Sequence, residues 1–143
     1  MKNLQNISIC FDLDGTLVNT APDLIRVLNE VIALEGLPKT NFKEAQKSVG
    51  YGARKLIIEA LRREKHEVSK TRLDKLQKIF MNLYANNLCL LSKPYPGVET
   101  VLKSLKKMGA ELSICTNKPG YLARPLIQDL SLSKLFIRIV GSD

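Results

Sequence analysis

The stretch ICFDLDGTLVNT (residues 9–20) decides how this chain is read. It opens on an apolar run and then sets Asp12 and Asp14 two positions apart, ahead of Gly15 and Thr16. Its β-branched and aromatic content makes residues 7–12 a short buried strand. A buried strand ending in two like charges is costly unless a cation sits between them or one of them holds a proton. After this stretch the period changes. Leu24, Val27, Leu28, Val31 and Ile32 form a helical stripe, with Thr20 as its cap, Pro22 in its first turn and Gly36 at its stop.

Further helices follow. Asn41 with Glu44 resembles a capping box for a short one. SVGYGARKLIIEALRRE (48–64) is a glycine-punctuated loop running into a helix with Leu56, Ile57, Ala60 and Leu61 on one side. A longer helix starts at a Ser69 cap, with Leu73, Leu76, Phe80 and Leu83 in register. SKPYPGVE (92–99) then interrupts regular structure with Pro94, Pro96 and Gly97. Beyond it the spacing predicts a helix over 98–108, a strand over 110–116, a helix over about 120–131 and a strand over 135–141.

The chain therefore divides into a β-α-β-α-β unit, residues 1–16 and 94–143, and an all-helical insertion, residues 17–93. Alternating β and α elements imply an α/β fold with a parallel sheet of about three strands and right-handed crossovers that place helices against its faces. Ligands of such sheets gather beyond the carboxyl ends of the strands. That rule sets Asp12 and Asp14 beside Thr116 and Asn117. The chemistry of such a group is specific. Asp12 is a carboxylate in a fixed place, fit to be a nucleophile. Asp14 is close enough to act on the same substrate, and the pair asks for a divalent metal such as Mg²⁺, which takes one or two carboxylates together with phosphate. Gly15 lets backbone N–H groups approach an anion, Thr116 adds a hydroxyl and Lys118 a positive charge. The set suits phosphoryl transfer, where positioning and charge neutralisation supply most of the rate.

The composition agrees with a globular protein: 143 residues, 45% hydrophobic and 25% charged. No apolar run reaches the ~20 residues that span a bilayer, and the polar start MKNLQN predicts no signal peptide. The three cysteines, Cys10, Cys89 and Cys115, lack C-x-x-C spacing. They predict a reducing, cytoplasmic setting, with each thiol a small buried apolar residue. The net charge of +8 could favour nucleic acid or a small anion. The basic cluster RREKHEVSKTR (62–72) is interleaved with Glu and carries no aromatic, so it reads as solvated helix ends, with His66 at the surface. Neither a nucleic-acid nor a membrane partner is expected.

FDLDGTLVNT (11–20) resembles the first motif of the haloacid dehalogenase superfamily, whose phosphatases carry D-x-D-G-T, and ICTNKP (114–119) resembles its second. Residues 95–143 and SVGYGARKLIIEAL (48–61) resemble the phosphoglycolate phosphatase branch. The resemblance implies a Rossmann-like core and a helical cap over residues 17–93 that closes on the site. It implies that Asp12 attacks phosphorus and that Asp14 protonates the leaving alcohol, then activates water. Mg²⁺ would be held by Asp12 and Asp14, the latter through its backbone carbonyl. Thr116, with Gly15, Thr16, Asn117 and Lys118, would hold the phosphoryl oxygens. The cap loop 48–55 would select a small phosphorylated metabolite through Tyr51, Arg54 and Lys55. Phosphomutases and pyrophosphatases share this core, whereas Asp14 argues against dehalogenation.

The family pattern also includes a lysine in a K-P-x-P segment and an acidic motif on a fourth strand. Neither occurs in the 143 residues, which read as a C-terminally truncated version of the pattern. The expectation is a first strand left as an edge that invites pairing with another chain, with weak or no turnover and low stability. A non-catalytic remnant serving in binding or assembly is the alternative reading.

Overall fold

The computed structural model of the chain describes residues 3–143. Strand β1, Ser8–Phe11, carries alternating side chains, with Ile9 and Phe11 turned inward. Strand β2, Val18–Asn19, begins an excursion that ends at strand β3, Lys93–Pro94. The two pair antiparallel, Val18 with Pro94 and Asn19 with Lys93, so the chain leaves and returns at one place.

Four helices fill that excursion: α1 Ala21–Ala33, α2 Phe42–Gln46, α3 Ala53–Arg63 and α4 Lys70–Asn86. Their apolar stripes meet in a core of their own, with Val27, Leu28, Val31, Ile32, Ile57, Leu76 and Phe80 fully buried. The Asn41 side chain accepts from the Glu44 N–H at 3.2 Å and Ser69 from the Arg72 N–H at 3.1 Å, so both expected caps form. Glu35, just past α1, takes Arg72 of α4 at 2.6 Å and His66 at 3.2 Å. His66 is thus half-buried in an ion cluster and not simply at the surface.

The rest of the chain runs α5 Val98–Lys107, β4 Glu111–Cys115, α6 Gly120–Asp129, a short 3-10 turn Ser133–Leu135 and β5 Arg138–Val140. The last strand is shorter than its sequence suggests because residues 133–135 coil before it. The sheet is parallel, in the order β1-β4-β5. The strands step in one direction across the sheet, so right-handed crossovers set both α5 and α6 on the same face. There Leu102, Leu126 and Ile127 pack on Ile9, Phe11, Leu112 and Ile114.

The other face, expected to be covered as well, carries no helix among the described residues. This overturns the expectation for the cysteines. Cys10 and Cys115 alternate out of the packed face and are exposed, and Cys89 is half-buried. Among the described residues β1 has β4 as its single neighbour, so it is an edge strand, as expected.

Candidate active site

The register sets the site. Phe11 pairs with Ile114 and Cys115 with Val140, so Asp12 and Thr116 leave the sheet at the same end. Residues 13–18 turn tightly there. The Leu13 carbonyl accepts the N–H groups of Thr16, Leu17 and Val18, and Gly15 takes a φ of +80°. Asp12 is exposed, with Oδ1 accepting the Leu13 N–H at 2.7 Å.

Asp14 is 8% exposed. Its Oδ1 accepts the Thr20 hydroxyl at 2.7 Å and lies 3.2 Å from Lys118 Nζ. Thr20 therefore stands at the start of α1 without a side-chain capping bond. Its hydroxyl serves the aspartate, which corrects the capping role expected of it.

Lys118 is itself buried. Its Nζ donates to Tyr84 Oη at 2.9 Å and sits 4.3 Å from the centre of that ring. Burial pulls the Lys118 amine below its ordinary range, and Asp14 opposes the shift. Burial, and then the charges of Asp14 and Asp23, push the Tyr84 phenol well above its ordinary range. The phenol is thus held protonated. The Lys118 backbone N–H donates to Thr116 Oγ1 at 3.1 Å, leaving that hydroxyl's hydrogen free to be donated.

A cavity of about 170 Å³ opens between this strand end and the helical excursion. Asp14, Asn117 and Lys118 border it from the sheet side, and Tyr51, Arg54 and Tyr84 from the helices. Arg54 is held by Asp74 at 2.7 Å and Gln77 at 2.8 Å. Lys55, expected at the site, instead pairs with Glu59 at 2.8 Å and does not border the cavity, because it lies on the solvent side of α3. Thr16 borders a separate hollow beside Pro96 and Val98, and Gly15 one beside Asn19. Asp12 and Thr116 stand at the sheet end outside the cavity wall.

Several residues that the sequence reading passed over complete the site. Asn117 Nδ2 donates to the Gly50 carbonyl at 2.9 Å, and a Cβ on Gly50 would come 3.4 Å from the Asp14 carbonyl. With φ at +95°, Gly50 is favoured by its backbone conformation, and a side chain there would rest in ordinary contact with the Asp14 carbonyl. The signal was present in V-G-Y-G, where two glycines bracket one aromatic. Asp23, fully buried in the first turn of α1, accepts the Leu91 N–H, the Ser92 N–H and the Ser92 hydroxyl on Oδ2 at 2.9, 2.8 and 2.7 Å. It fastens the returning chain to the start of α1. Asp143 is no ligand in this arrangement: its carboxylate accepts the Gly120 N–H at 2.6 Å, and that bond holds it below the usual carboxylate range.

A magnesium ion would find hard oxygen donors in Asp12 and in the carbonyl of Asp14, which suit it. The described residues hold no group of three acidic, histidine or cysteine side chains placed to bind a metal. The donor set is therefore a partial one, which water and phosphate oxygens would complete.

The chain matches the model of the haloacid dehalogenase-like hydrolases over residues 9–143. It is 38% identical over 143 residues to a phosphoglycolate phosphatase of Caulobacter vibrioides, covering all of this chain and 60% of that protein. It is 39% identical over 133 residues to one of Agrobacterium fabrum, covering 93% of this chain and 57% of that protein. A solved structure described as a predicted phosphoglycolate phosphatase from Haemophilus somnus superposes with a TM-score of 0.87 at 30% identity, over 99% of this chain and 64% of that one. This chain thus spans about 60% of the length of the curated relatives it matches. With the D-x-D-G-T turn, the threonine at the next strand end and this match in hand, the chain belongs to the haloacid dehalogenase-like hydrolase family.

Proposed function

We propose that the chain carries the nucleophile half of a magnesium-dependent phosphatase for small phosphomonoesters such as 2-phosphoglycolate. The observation behind this reading is the meeting of Asp14, Thr116 and Lys118 at one end of a parallel sheet, beside a cavity that Arg54 enters from the helical side. Asp12 attacks phosphorus and the bond from phosphorus to the alcohol oxygen breaks. That oxygen takes a proton from Asp14. Water then attacks the phosphoaspartate, gives its proton to Asp14 and releases phosphate, restoring Asp12. Thr116 and the N–H groups around Gly15, Thr16 and Asn117 hold the equatorial oxygens. The Asp12 carboxylate and the Asp14 backbone carbonyl would hold a magnesium ion, which when bound would neutralise charge on the phosphoryl group.

In this reading residues 17–93 act as a cap on the core formed by 1–16 and 94–143, and Tyr51 and Arg54 meet the substrate. The phosphoglycolate phosphatases among its relatives support a small phosphorylated metabolite as substrate. No helix is long and apolar enough to cross a membrane among the described residues.

The test is phosphate release from 2-phosphoglycolate and p-nitrophenyl phosphate with Mg²⁺, with EDTA and with Asp12→Asn as controls. Slow release that both controls abolish is expected. Release that persists in Asp12→Asn, or none from the unsubstituted chain, overturns the reading. The open sheet face favours a second reading, a non-catalytic assembly module, which gains if release is absent and the chain is multimeric.

A further inference from the structure

We propose that Lys118 is a positioning residue, which together with Tyr84 from the helical excursion holds the Asp14 carboxylate in place, rather than a ligand for the phosphoryl group. The inference rests on Asp14 being the proton-transferring group of the reading above.

Three observations carry it. First, both side-chain partners of the Asp14 carboxylate, Thr20 Oγ1 at 2.7 Å and Lys118 Nζ at 3.2 Å, converge on Oδ1. Oδ2 is left to meet a leaving group or water. Second, the Lys118 ammonium is spent within the protein. It is 6% exposed, donates to Tyr84 Oη at 2.9 Å and lies over the same ring at 4.3 Å. A lysine that carried phosphate would need to aim its charge into the open end of the cavity. Third, Tyr84 comes from α4, deep in the helical core beside Phe80, at 1% exposure. It cannot follow the lysine outward.

The chain Tyr84–Lys118–Asp14–Thr20 therefore ties the last turn of α4 to the catalytic turn and to the start of α1. A shift of the helical excursion that moved Tyr84 would release Lys118, and Asp14 would lose one of its two partners. Seating of the helices and placement of the proton-transferring carboxylate become a single event. Thr116 joins the same unit, since the Lys118 N–H donates to its hydroxyl oxygen at 3.1 Å. The ion pair and the ring face offset part of the cost of burying the ammonium.

Two variants test it, Lys118→Met, of similar length but uncharged, and Tyr84→Phe, which keeps the ring and removes only the hydroxyl. Turnover of p-nitrophenyl phosphate with Mg²⁺ should show kcat lowered about tenfold in Lys118→Met and about fivefold in Tyr84→Phe, with KM and inhibition by inorganic phosphate unchanged. The double variant should be no slower than Lys118→Met alone, because the hydroxyl acts only through the ammonium. A rise in KM and in the phosphate inhibition constant with kcat preserved would make Lys118 a phosphate ligand and overturn the proposal.

Crystal structures of the two variants judge the seat directly. A carboxylate turned away from Thr20 supports the proposal, and one left in place refutes it. This reading needs no turnover. A chain without phosphatase activity would count against the catalytic reading above, while the Asp14 seat would still be decided by the structures. Tyr84→Phe alone suffices if Lys118→Met does not fold.

Discussion

Gly50 shows how much a single residue can decide. It sits at φ +95° with the Asp14 carbonyl at van der Waals distance from where a side chain would begin. Gly50→Ala should cost about 1–2 kcal/mol of stability for the left-handed backbone. It should cost more in turnover, because relieving that backbone strain shifts the loop whose Gly50 carbonyl holds Asn117 beside the catalytic turn. Thermal melting alongside phosphate release separates the two effects, and equal losses would sink the prediction. At this scale the sequence was legible where chemistry depends on spacing. Asp12, Asp14 and Thr116 stand where strand ends were expected. It was illegible where one residue type serves two purposes. Thr20 precedes a helix, so its hydroxyl reads as a cap until the structure brings Asp14 to it at 2.7 Å. Tyr84 lies four residues after Phe80 on the α4 stripe and reads as core, which it is; its hydroxyl and ring face nonetheless meet Lys118 of the other unit.

At the scale of elements, the apolar periods named the helices correctly and the Asn41 and Ser69 caps formed, while errors gathered at ends where the local signal is weak. Strand β5 lost its first residues to a 3-10 turn that no turn residue announces. Two carboxylates bind elements together and yield predictions. Asp23→Ala removes the acceptor of three donors from residues 91–92 and leaves the two from Ser92 buried. A loss of about 3 kcal/mol in urea unfolding is expected, and no loss would show that β3 is held without it.

Acid should act through Glu35 and Glu59. Burial alone would raise the Glu35 carboxyl, but Arg72 and His66 outweigh it and hold it below 4.5. Bonds from Lys55 and Arg62 bring Glu59 down to about 2. Both are depressed in the folded state, so their stabilisation is complete above pH 4.5 and fades as pH falls toward 2. Melting temperature should drop across that window, and Glu59→Gln should flatten the lower part of the drop. A melting temperature constant over the window would refute the assignment.

The whole molecule follows the sequence in its order of elements, apart from the short β2–β3 pair that closes what was expected to be an all-helical insertion and the 3-10 turn, and departs from it in coverage. Alternation of β and α announced a parallel sheet with helices, but which face they take is set by the direction in which the strands step, and that is a property of the assembled sheet. The open face accounts for the cysteines: Ile9 and Phe11 are turned inward, so the residue between them, Cys10, must point out. Alkylation of the native protein should therefore label Cys10 and Cys115 quickly and Cys89 slowly, as read by peptide mass spectrometry. Equal rates would contradict the open face. The same face and the free edge of β1 should make the chain associate at high concentration, visible as a rising mass in sedimentation.

The order β1-β4-β5 also has a consequence for how the molecule comes into being. Strand β1 leaves the ribosome with no partner, and Ser8 must wait for Glu111 to be translated before it can pair. Between them the four helices find most of what they bury within their own stretch, with Leu122 of α6 the exception, so they are expected to close first at small entropic cost. On that order the helical unit, with its two ends paired as β2 and β3, would bring the waiting strand to its place beside β4.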